Sequence, residues 1–390
     1  MVKREKELLA IQEGFDTHPV VSILGPRQCG KSTLARMFCA EQDTVFFDLE
    51  NPVDRRRLES PMQTLSPLKG LVVLDEIQRS PELFEILRVL ADRLNHPARF
   101  LVLGSAAPSL LKGISESLAG RVTFVDLSGF SLSEVGGQNS LSRLWLRGGF
   151  PRSYLAASDQ DSFRWREDFV RTFLERDIPQ LGITVPSGTL LRFWTMIAHY
   201  HGQVWNAAEL ARSLGASEPT ARRYLDILAG AYMVRMLPPW FENIGKRQVK
   251  SPKIYLRDSG ILHTLMELPG LHALQGHPKL GASWEGFALE QLLSQIRSRQ
   301  AYFWSTHSGA ELDLFVLHNG KRYGFEFKYA DAPRRTRSMH SALKDLNLEH
   351  LWVIYPGTEQ YALDEKITVC PLGQWTVKQF EQQKDNTSDV

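Results

Sequence analysis

The segment GPRQCGKST, residues 25–33, combines residue types that bind phosphate groups. Gly25 and Gly30 allow the backbone to wrap closely around an anion, and the free N–H groups at the start of a helix point toward it. Lys31 would reach the outer phosphates of a nucleotide, and Ser32 would place its hydroxyl on Mg²⁺. The apolar run VVSIL precedes the segment and a helical pattern follows it, which is the context that a phosphate-binding loop requires.

A second segment supplies the carboxylates that such a loop needs. The apolar run LVVL ends in Asp75 and Glu76, and the carboxyl ends of strands in an open α/β sheet are where ligands bind. Asp75 can hold Mg²⁺, directly or through water, and Glu76 can orient an attacking water. The two segments together predict that the protein binds ATP with Mg²⁺ and hydrolyses it.

GPRQCGKST and VVLDE resemble the Walker A and Walker B motifs of the AAA+ ATPase superfamily. The resemblance implies that Ser105, in LVLGSAA, is a polar sensor. It also implies that Arg121, in LAGR, is an arginine finger or γ-phosphate sensor, acting in cis or in a neighbouring subunit. The alternatives are a turn residue at a strand end for Ser105 and a surface ion pair for Arg121. The residues implied to bind nucleotide are Gly25, Pro26, Arg27, Gln28, Cys29, Gly30, Lys31, Ser32, Thr33, Asp75 and Ser105.

Residues 205–240 contain the segment AAELARSLGASEPTARRYLDILAG, which predicts a helix-turn-helix. Gly215 provides the turn, and Ser217 can cap the second helix, with Pro219 in its first turn. LAGAYMVRML and KSPKIYLRD, which follow, resemble the wing of a winged helix. A winged helix used only for packing is the alternative to one that binds DNA. The residues that would contact DNA phosphates are Arg222, Arg223, Lys246, Arg247 and Lys250.

The segment ELDLFVLHNGKRYGFEFK, residues 311–328, predicts a β-hairpin with an Asn-Gly turn. Directly opposed residues share a face, so this pairing places Asp313 opposite Glu326 and Glu311 opposite Lys328, with large apolar residues on the other face. Opposed carboxylates repel each other unless a divalent cation lies between them, and a nearby lysine could position a water. The alternative is a solvated face with a surface pair between Glu311 and Lys328.

Asp313, Glu326 and Lys328 resemble the signature of the PD-(D/E)xK, or restriction-endonuclease-like, superfamily, and Glu285 in SWEGFALEQLL resembles its helix glutamate. The resemblance implies a divalent-metal phosphodiesterase in which Asp313 and Glu326 bind Mg²⁺ or Mn²⁺. The order of the three modules, with the phrases LERDIP, LRGGFP and KIYLRDSG, resembles a widespread prokaryotic family of ATPases.

The elements that must position these residues follow a β-α-β order over residues 18–130, which predicts a parallel sheet covered by helices on both faces. The predicted fold class is therefore α/β, with an AAA+ sheet, a helical and winged-helix region and a restriction-endonuclease-like domain. The predicted boundaries are 1–135 for the ATPase domain, 136–277 for the middle region, 278–380 for the nuclease-like domain and 381–390 for a flexible tail.

The composition of the chain indicates which partners and which cellular compartment to expect. The net charge of the 390-residue chain is +2, so contact with nucleic acid must come from local basic patches. Cys29, Cys39 and Cys370 form no CxxC pair, which indicates a reducing compartment. No run approaches the ~18 apolar residues of a membrane span, and a cytoplasmic protein without membrane contact is expected. His199 and His201 lack a second cluster of metal ligands and are interpreted as structural.

The predicted function is ATP hydrolysis coupled to a C-terminal module that acts on nucleic acid. DNA is the expected substrate because of the helix-turn-helix, and assembly into a homo-oligomer is a further expectation. One alternative is a nucleotide switch that holds a partner and uses the C-terminal module as a docking fold. Another is a DNA-binding regulator that does not cleave DNA.

Overall fold

The computed structural model of the protein describes residues 2–40, 42–94, 98–105, 113–114, 116–136, 138–180, 182–242, 248–298 and 300–382. The chain divides into two compact units. The first unit comprises Met1–Phe130, Gly149–Arg152 and Gly230–Met233, and the second comprises Ser131–Gly148, Ser153–Ala229 and Val234–Val390. Most of the middle region and the C-terminal region therefore share one compact unit.

A five-stranded sheet forms the centre of the first unit. Its strands are β1 (Val20–Gly25), β2 (Thr44–Asp48), β3 (Gly70–Asp75), β4 (Ala98–Ser105) and β5 (Val122–Asp126). They pair in parallel in the order β2-β3-β4-β1-β5. β1, β3 and β4 are buried along almost their whole length, as strands covered on both faces must be. The predicted parallel sheet is confirmed.

Among the described residues, five named helices accompany this sheet. They are α1 (Glu5–Thr17), α2 (Lys31–Cys39), α3 (Pro52–Arg57), α4 (Pro61–Leu65) and α5 (Leu83–Ala91), with a 3₁₀ turn at Ile77–Arg79. Prolines begin α3 and α4, where the fixed φ and the missing N–H are tolerated. α2 packs against β1, β3 and β4, so it is anchored on the strands that carry the predicted nucleotide-binding residues.

Six helices are described between β5 and β6. They are α6 (Leu132–Val135), α7 (Gln138–Arg147), α8 (Pro151–Tyr154), α9 (Asp159–Thr172), α10 (Ile178–Gln180) and α11 (Ser187–His199), with a π-helical turn at Phe173–Asp177. Arg166 of α9 is fully buried and donates to the hydroxyls of Thr264, Ser153 and Ser162 at 2.7, 3.0 and 2.6 Å. Burial lowers the pKa of Arg166 to about 10. These hydrogen bonds offset the cost of burying its charge.

Two helices joined by a tight turn follow, backed by a small antiparallel sheet. The helices are α12 (Ala207–Leu214) and α13 (Glu218–Gly230), and the strands are β6 (Gln203–Val204), β7 (Val234–Leu237) and β8 (Lys253–Leu256), in the order β6-β8-β7. Gly215 ends α12 with a φ of 73°, which suits glycine. The Thr220 N–H donates to Ser217 Oγ at 3.4 Å, close to the predicted cap.

A six-stranded mixed sheet dominates the C-terminal part. Its strands are β9 (Ala301–Ser305), β10 (Glu311–His318), β11 (Lys321–Phe327), β12 (His350–Tyr355), β13 (Tyr361–Asp364) and β14 (Ile367–Pro371), in the order β13-β14-β12-β11-β10-β9. The helices are α14 (Ser259–Leu265), α15 (Leu271–Gln275), α16 (Leu280–Ile296), α17 (Arg337–Asp345) and α18 (Gln379–Gln382). α17 covers β10, β11 and β12, and α16 packs on β11. A buried apolar core that includes Met339 and Leu351 lies beneath α17.

Within the described ranges, no helix is long and apolar enough to cross a membrane. Cys29, Cys39 and Cys370 are all free thiols. The predicted flexible tail begins inside α18, and residues 383–390 lie outside the part of the chain that the structure describes.

Candidate functional site

The P-loop (residues 25–33) connects the end of β1 to the start of α2. Gly30 has a φ of 101° at the N-cap of α2, and Gln28 has a φ of 62°. A positive φ suits glycine, so Gly30 permits the turn from loop to helix. The first N–H groups of α2 have no partner within the helix and are the donors that bind an anion at such a site.

Gly25 lies where two backbone segments approach closely. A Cβ atom at this position would lie 2.1 Å from the Leu127 carbonyl oxygen and 3.1 Å from Cys29 Sγ. A side chain cannot be accommodated without moving the backbone that follows β5. Glycine is therefore required here by packing as well as by the course of the loop.

Lys31 is buried inside the P-loop, with 5% of its surface exposed. Its ammonium donates hydrogen bonds to the carbonyl oxygens of Gly25 at 3.1 Å and Pro26 at 2.9 Å. These bonds hold the charge among the backbone groups of the loop. A phosphate is a stronger, charged acceptor for the same ammonium.

Ser32 and Asp75 bring a hydroxyl and a carboxylate together at the carboxyl edge of the sheet. The hydroxyl of Ser32, in the first turn of α2, lies near the Asp75 carboxylate at the end of β3. Burial raises the pKa of Asp75, the nearby Ser32 hydroxyl opposes this change, and the neighbouring charge of Glu76 adds to it. Hard oxygen donors of this kind are the ligands that Mg²⁺ prefers, so Ser32 and Asp75 fit a Mg²⁺ ion bound with nucleotide phosphates.

Glu76 follows β3 in an unusual backbone conformation. Its φ is 57°, a region that non-glycine residues seldom occupy and that is common at functional sites. Its carboxylate accepts a hydrogen bond from the Gln78 side-chain amide, and its N–H donates to Asp75 Oδ1 at 3.0 Å. Glu76 is therefore beside the Mg²⁺ candidate Asp75, with its carboxylate held by a neutral partner.

Arg27 of the P-loop is tied to the neighbouring segments by an acidic residue. Glu50, which follows β2, accepts hydrogen bonds from Arg27 at 2.9 Å and from Arg79 at 2.8 Å. Both arginines are partly exposed, and exposed pairs of this kind contribute little to stability. Their effect is to orient Arg27, which the sequence interpretation assigns to nucleotide binding.

Arg4 is a P-loop contact that the sequence interpretation missed. It is 4% exposed, and its guanidinium donates to the carbonyl oxygens of Cys29 at 3.2 Å, Ser128 at 3.2 Å and Gly129 at 3.1 Å. The partners lie 25 to 125 residues away along the chain, so no local pattern indicates the contact. Arg4 joins the backbone of the P-loop to the segment that follows β5.

Ser105 lies at the carboxyl end of β4, paired in register with Gly25. It is 6% exposed, and its hydroxyl has no hydrogen-bond partner among the described residues. Ser22, inside β1, has the same property, so the unpaired hydroxyl alone does not distinguish a sensor. The position of Ser105 beside the P-loop favours the polar-sensor interpretation over that of a turn residue.

Arg121 lies at the opposite edge of the sheet from the P-loop. The Arg121 carbonyl accepts a hydrogen bond from the N–H of Val20, the first residue of β1. The P-loop begins at the last residue of the same strand. Five steps of a strand separate the two edges, roughly 16 Å at 3.3 Å per residue. The Arg121 guanidinium makes two hydrogen bonds to the exposed carboxylate of Asp92, at 2.6 and 2.8 Å. The structure therefore gives the surface ion pair and does not bring Arg121 to the nucleotide site of its own chain.

The predicted hairpin pairing is confirmed from Leu314–Phe325 to His318–Lys321. The faces differ from the prediction, because the pairing of β10 with β9 shifts between Leu312 and Phe315. Phe315, which strict alternation would place on the same face as Glu311 and Asp313, is fully buried in the core. A Cβ at Gly324, which pairs with Phe315, would lie 2.7 Å from Leu348 Cδ1 and 3.3 Å from Leu312 Cδ1, so apolar side chains fill the space beside this glycine. Both faces of the hairpin are therefore buried.

Asp313, Glu326 and Lys328 nonetheless lie together at the end of the hairpin. Lys328 Nζ is 2.6 Å from Glu326 Oε2 and 3.8 Å from Asp313 Oδ2. Asp313 also accepts from the Phe327 N–H at 3.0 Å. Burial and the charge of Asp313 raise the pKa of Glu326 to about 8, against the effect of Lys328. In place of the surface pair between Glu311 and Lys328, which was the alternative to a site, Glu311 pairs with Lys253 and Lys328 pairs with Glu326 and Asp313.

Glu285, on α16, joins the same group through two residues that the sequence interpretation missed. Glu285 accepts from the Tyr255 hydroxyl at 2.6 Å and from Lys253 Nζ at 3.2 Å. Lys253 Nζ also lies 3.6 Å from Asp313 Oδ1 and forms an ion pair with Glu311. Burial raises the pKa of Glu285 to about 6, with Lys253 opposing it. We call Glu285, Glu311, Asp313 and Glu326 the carboxylate cluster.

The fit of a divalent metal to the carboxylate cluster is poor. The ammonium of Lys253 lies among Glu285, Glu311 and Asp313, where a cation would be expected. Among the residues that the structure describes, no three His, Cys, Asp or Glu side chains are arranged to hold a metal ion. Lys253 belongs to the segment KSPKIYLRD, and its carboxylate partners lie far away along the chain, so no local pattern indicates this contact.

Three family models match successive parts of the chain. The model described as AAA domain matches residues 17–136. Two models described as domains of unknown function, DUF8612 and DUF4143, match residues 138–272 and 280–375. The first range contains the P-loop, Asp75 and Ser105, so the parallel sheet belongs to an AAA-type ATPase domain.

Two mycobacterial proteins are similar to almost the whole chain. They are the uncharacterized protein Rv2008c of Mycobacterium tuberculosis and the uncharacterized protein Mb2031c of Mycobacterium bovis, each 51% identical over 374 residues, or 96% of this chain and 85% of the relative. The chain therefore belongs to the same protein family as these two proteins.

Similar solved structures include a Walker-type ATPase of Pyrococcus abyssi, with a TM-score of 0.49 and 16% identity, covering 68% of this chain and 96% of that chain. A signal transduction ATPase with a tetratricopeptide repeat sensor from Pyrococcus horikoshii has a TM-score of 0.30 and 12% identity, covering 77% of this chain and 46% of that chain.

Proposed function

We propose that the protein binds and hydrolyses ATP at the P-loop and that its nucleotide state controls DNA binding by the helix-turn-helix. The observation that carries the ATPase proposal is that the Ser32 hydroxyl and the Lys31 ammonium both lie near enough to the buried Asp75 carboxylate to lower its pKa, against the larger effect of burial. Nucleotide hydrolysis needs groups that bind the phosphates, the metal and the attacking water. In this proposal Lys31, the pair Ser32 and Asp75, and Glu76 supply them at one edge of the sheet.

Each residue has a defined role in this proposal. Lys31 and the first N–H groups of α2 bind the phosphates and stabilise the charge that develops on them. Ser32 and Asp75 hold Mg²⁺, which neutralises phosphate charge when it is bound. Glu76 exchanges its bond to Gln78 for one to the attacking water and orients it.

Steady-state phosphate release tests the proposal. We expect Lys31→Ala to lower ATP hydrolysis by about 100-fold or more and to weaken ATP binding. Glu76→Gln should lower the rate by a similar factor while ATP still binds, because its role is confined to the water. Lys69→Ala, which removes an exposed lysine, serves as a control and should match the wild type. Hydrolysis by Lys31→Ala at the wild-type rate would rule out the P-loop as the site.

DNA binding is proposed because α13 presents two arginines to solvent. Arg222 and Arg223 are both exposed, as is Lys250 near the small sheet, and phosphate contacts need only such accessible charges. The other two predicted contacts, Lys246 and Arg247, lie outside the described residues. If the winged helix served only for packing, Arg222 and Arg223 would have no binding role.

Salt-dependent DNA binding distinguishes the two interpretations. The double variant Arg222→Ala/Arg223→Ala should weaken DNA binding at least about tenfold. The plot of log binding constant against log salt concentration should become less steep, by the amount expected for the loss of about two phosphate contacts. Arg212→Ala, on α12, removes an exposed charge of the same kind and should change binding less. If Arg212→Ala weakened DNA binding as much as the double variant, DNA would bind across a broad charged surface rather than at α13.

The metal-dependent nuclease predicted from the sequence has one supporting observation, the proximity of Glu285, Asp313, Glu326 and Lys328. Lys253 weighs against it, because its ammonium lies where the metal would bind. We therefore favour the alternative in which the C-terminal module is a docking fold. Plasmid incubated with the protein, ATP and Mn²⁺ should remain intact, and nicking that Lys328→Ala abolishes would instead support the nuclease.

A further inference from the structure

Lys253 is the first residue of β8, in the small sheet behind the helix-turn-helix, yet its side chain ends in the C-terminal carboxylate cluster. It is 3% exposed. The ammonium lies 3.2 Å from Glu285 Oε1 and 3.6 Å from Asp313 Oδ1, pairs with Glu311, and is 5.7 Å from the centre of the Phe303 ring. The Lys253 ammonium is thus enclosed by three carboxylates and one aromatic face, while the ammonium of Lys328 pairs with Glu326 and, at 3.8 Å, with the other oxygen of Asp313.

The charges explain why this arrangement is stable. A buried ammonium without partners would lose its proton, and buried carboxylates without a counter-ion would gain one. Burial lowers the pKa of Lys253, but Glu285, Asp313 and Glu311 outweigh it and raise that pKa well above its ordinary value. The lysine therefore stays charged, and a second cation entering the cluster would be repelled by it.

A neighbouring ion group joins the same elements. Arg235 of β7 and Arg257, just after β8, both bind the Glu290 carboxylate on α16, the helix that carries Glu285. Charge contacts from the small sheet to α16 thus occur at two places. Lys253 differs from the two arginines in being enclosed by several carboxylates from different elements.

We propose that Lys253 is a resident cation that takes the place of a divalent metal in the carboxylate cluster and joins the small sheet to the C-terminal module. The proposal is independent of ATP hydrolysis at the P-loop. It implies that the wild-type cluster binds no divalent cation. It also implies that the cluster needs a positive charge, which Mn²⁺ can supply only when Lys253 is removed.

The test uses the full chain without nucleotide and measures the melting temperature with and without Mn²⁺. Wild type and Lys253→Arg, which keeps the charge, should not respond to Mn²⁺. Lys253→Met should melt at a lower temperature, and Mn²⁺ should raise that temperature by about 3 °C or more. Adding Asp313→Asn to Lys253→Met should remove the response, which shows that the metal acts at the cluster.

Two results would overturn the proposal. A folded Lys253→Met variant that ignores Mn²⁺ would show that the lysine charge is not what keeps metal out. Direct titration of wild type with Mn²⁺ covers the case in which that variant fails to fold. Binding to wild type that Asp313→Asn abolishes would show that metal and Lys253 coexist, whereas no Asp313-dependent binding supports the proposal.

Discussion

Arg4 controls the shape of the P-loop through backbone carbonyl groups. Its buried guanidinium holds Cys29 to Ser128 and Gly129. Since a nucleotide-binding loop works by presenting backbone N–H groups in a fixed arrangement, a residue that fixes its carbonyls also fixes the donors. Arg4 is therefore a positioning residue that need not touch the nucleotide.

Arg4→Ala should weaken ATP binding by about tenfold and lower the free energy of unfolding by about 2–4 kcal/mol, because three backbone carbonyls, including that of buried Cys29, lose a charged donor. Lys3→Ala is the matched control, since Lys3 is exposed and should change neither quantity. Isothermal titration with ATP and denaturant unfolding provide the measurements. ATP affinity unchanged in Arg4→Ala would separate this residue from the nucleotide site.

Glu326 links stability to pH. Its folded-state pKa of about 8 lies above the ordinary value of 4.5, so between these values the folded protein binds more protons than the unfolded chain. Stability should therefore fall as pH rises through this range. The neighbouring charges that set this pKa are Asp313, Lys328 and Lys253.

Between pH 5 and 8 the free energy of unfolding should fall less steeply with pH in Glu326→Gln than in the wild type. The two slopes should differ by up to about 1.4 kcal/mol per pH unit, which is the largest effect that one titrating proton can have. Glu365→Gln, at an exposed position, should keep the wild-type slope. Urea unfolding across this pH range measures both. Identical slopes in the two variants would mean that Glu326 titrates normally.

At the same scale, Lys31, Ser32 and Asp75 are predictable from sequence because the loop and the ends of parallel strands are fixed by local patterns. Arg4 and Lys253 are not, because their partners lie far away along the chain. Arg121 lies at the end of β1 away from the P-loop, and its role in a neighbouring subunit stays a prediction.

At the scale of elements, α16 is shaped by close packing against a histidine. A Cβ at Gly286 would lie 2.1 Å from His201 Nε2, and the ring is fixed because His201 Nδ1 accepts from the Leu256 N–H at 2.9 Å. His201 is 2% exposed, and burial lowers its pKa to about 3, so it is neutral. This histidine is a spacer between β8 and α16.

Gly286→Ala should lower the free energy of unfolding by about 1–3 kcal/mol, because the added methyl group clashes with a ring that cannot move. Gly281→Ala, on the same helix with open space around its Cβ position, should raise it by about 0.5–1 kcal/mol through helix propensity. Denaturant unfolding of both variants gives the comparison. A stable Gly286→Ala would show that His201 can shift.

The pairing of the hairpin strands could be predicted from their own sequence, but the faces of the hairpin could not. The Asn-Gly turn fixes the pairing, because both positions have positive φ, 49° and 76°. The shift between Leu312 and Phe315 against β9 depends on a strand that is not part of the hairpin. Sequence alternation could not show that Phe315 turns into the core.

At the scale of the whole molecule, the chain passes between its two compact units several times. Residues 149–152 and 230–233 belong to the first unit, although the segments around them belong to the second. Tyr232, just after α13, donates to Asp126 at the end of β5 at 2.6 Å. A Cβ at Gly30 of the P-loop would lie 3.8 Å from Pro151 Cγ. Both insertions therefore pack within the first unit, beside the P-loop and the end of β5.

These crossings were not predictable from the sequence, because a compact unit is defined by contacts rather than by chain order. The predicted division into three domains, the cytoplasmic location and assembly into a homo-oligomer stay predictions. The parallel sheet and its P-loop were accessible because each depends on a local pattern repeated from strand to helix.

The central claim is that nucleotide at the P-loop controls DNA binding through α13. The most direct measurement is the dissociation constant for DNA at fixed salt, without nucleotide and with ATP and Mg²⁺, in wild type, Lys31→Ala and Glu76→Gln. We expect ATP to tighten binding by Glu76→Gln about fivefold or more, the lower end of typical coupling between sites, and to leave Lys31→Ala unchanged. The same constant with and without ATP in Glu76→Gln, in a protein that binds both ligands, would contradict the claim.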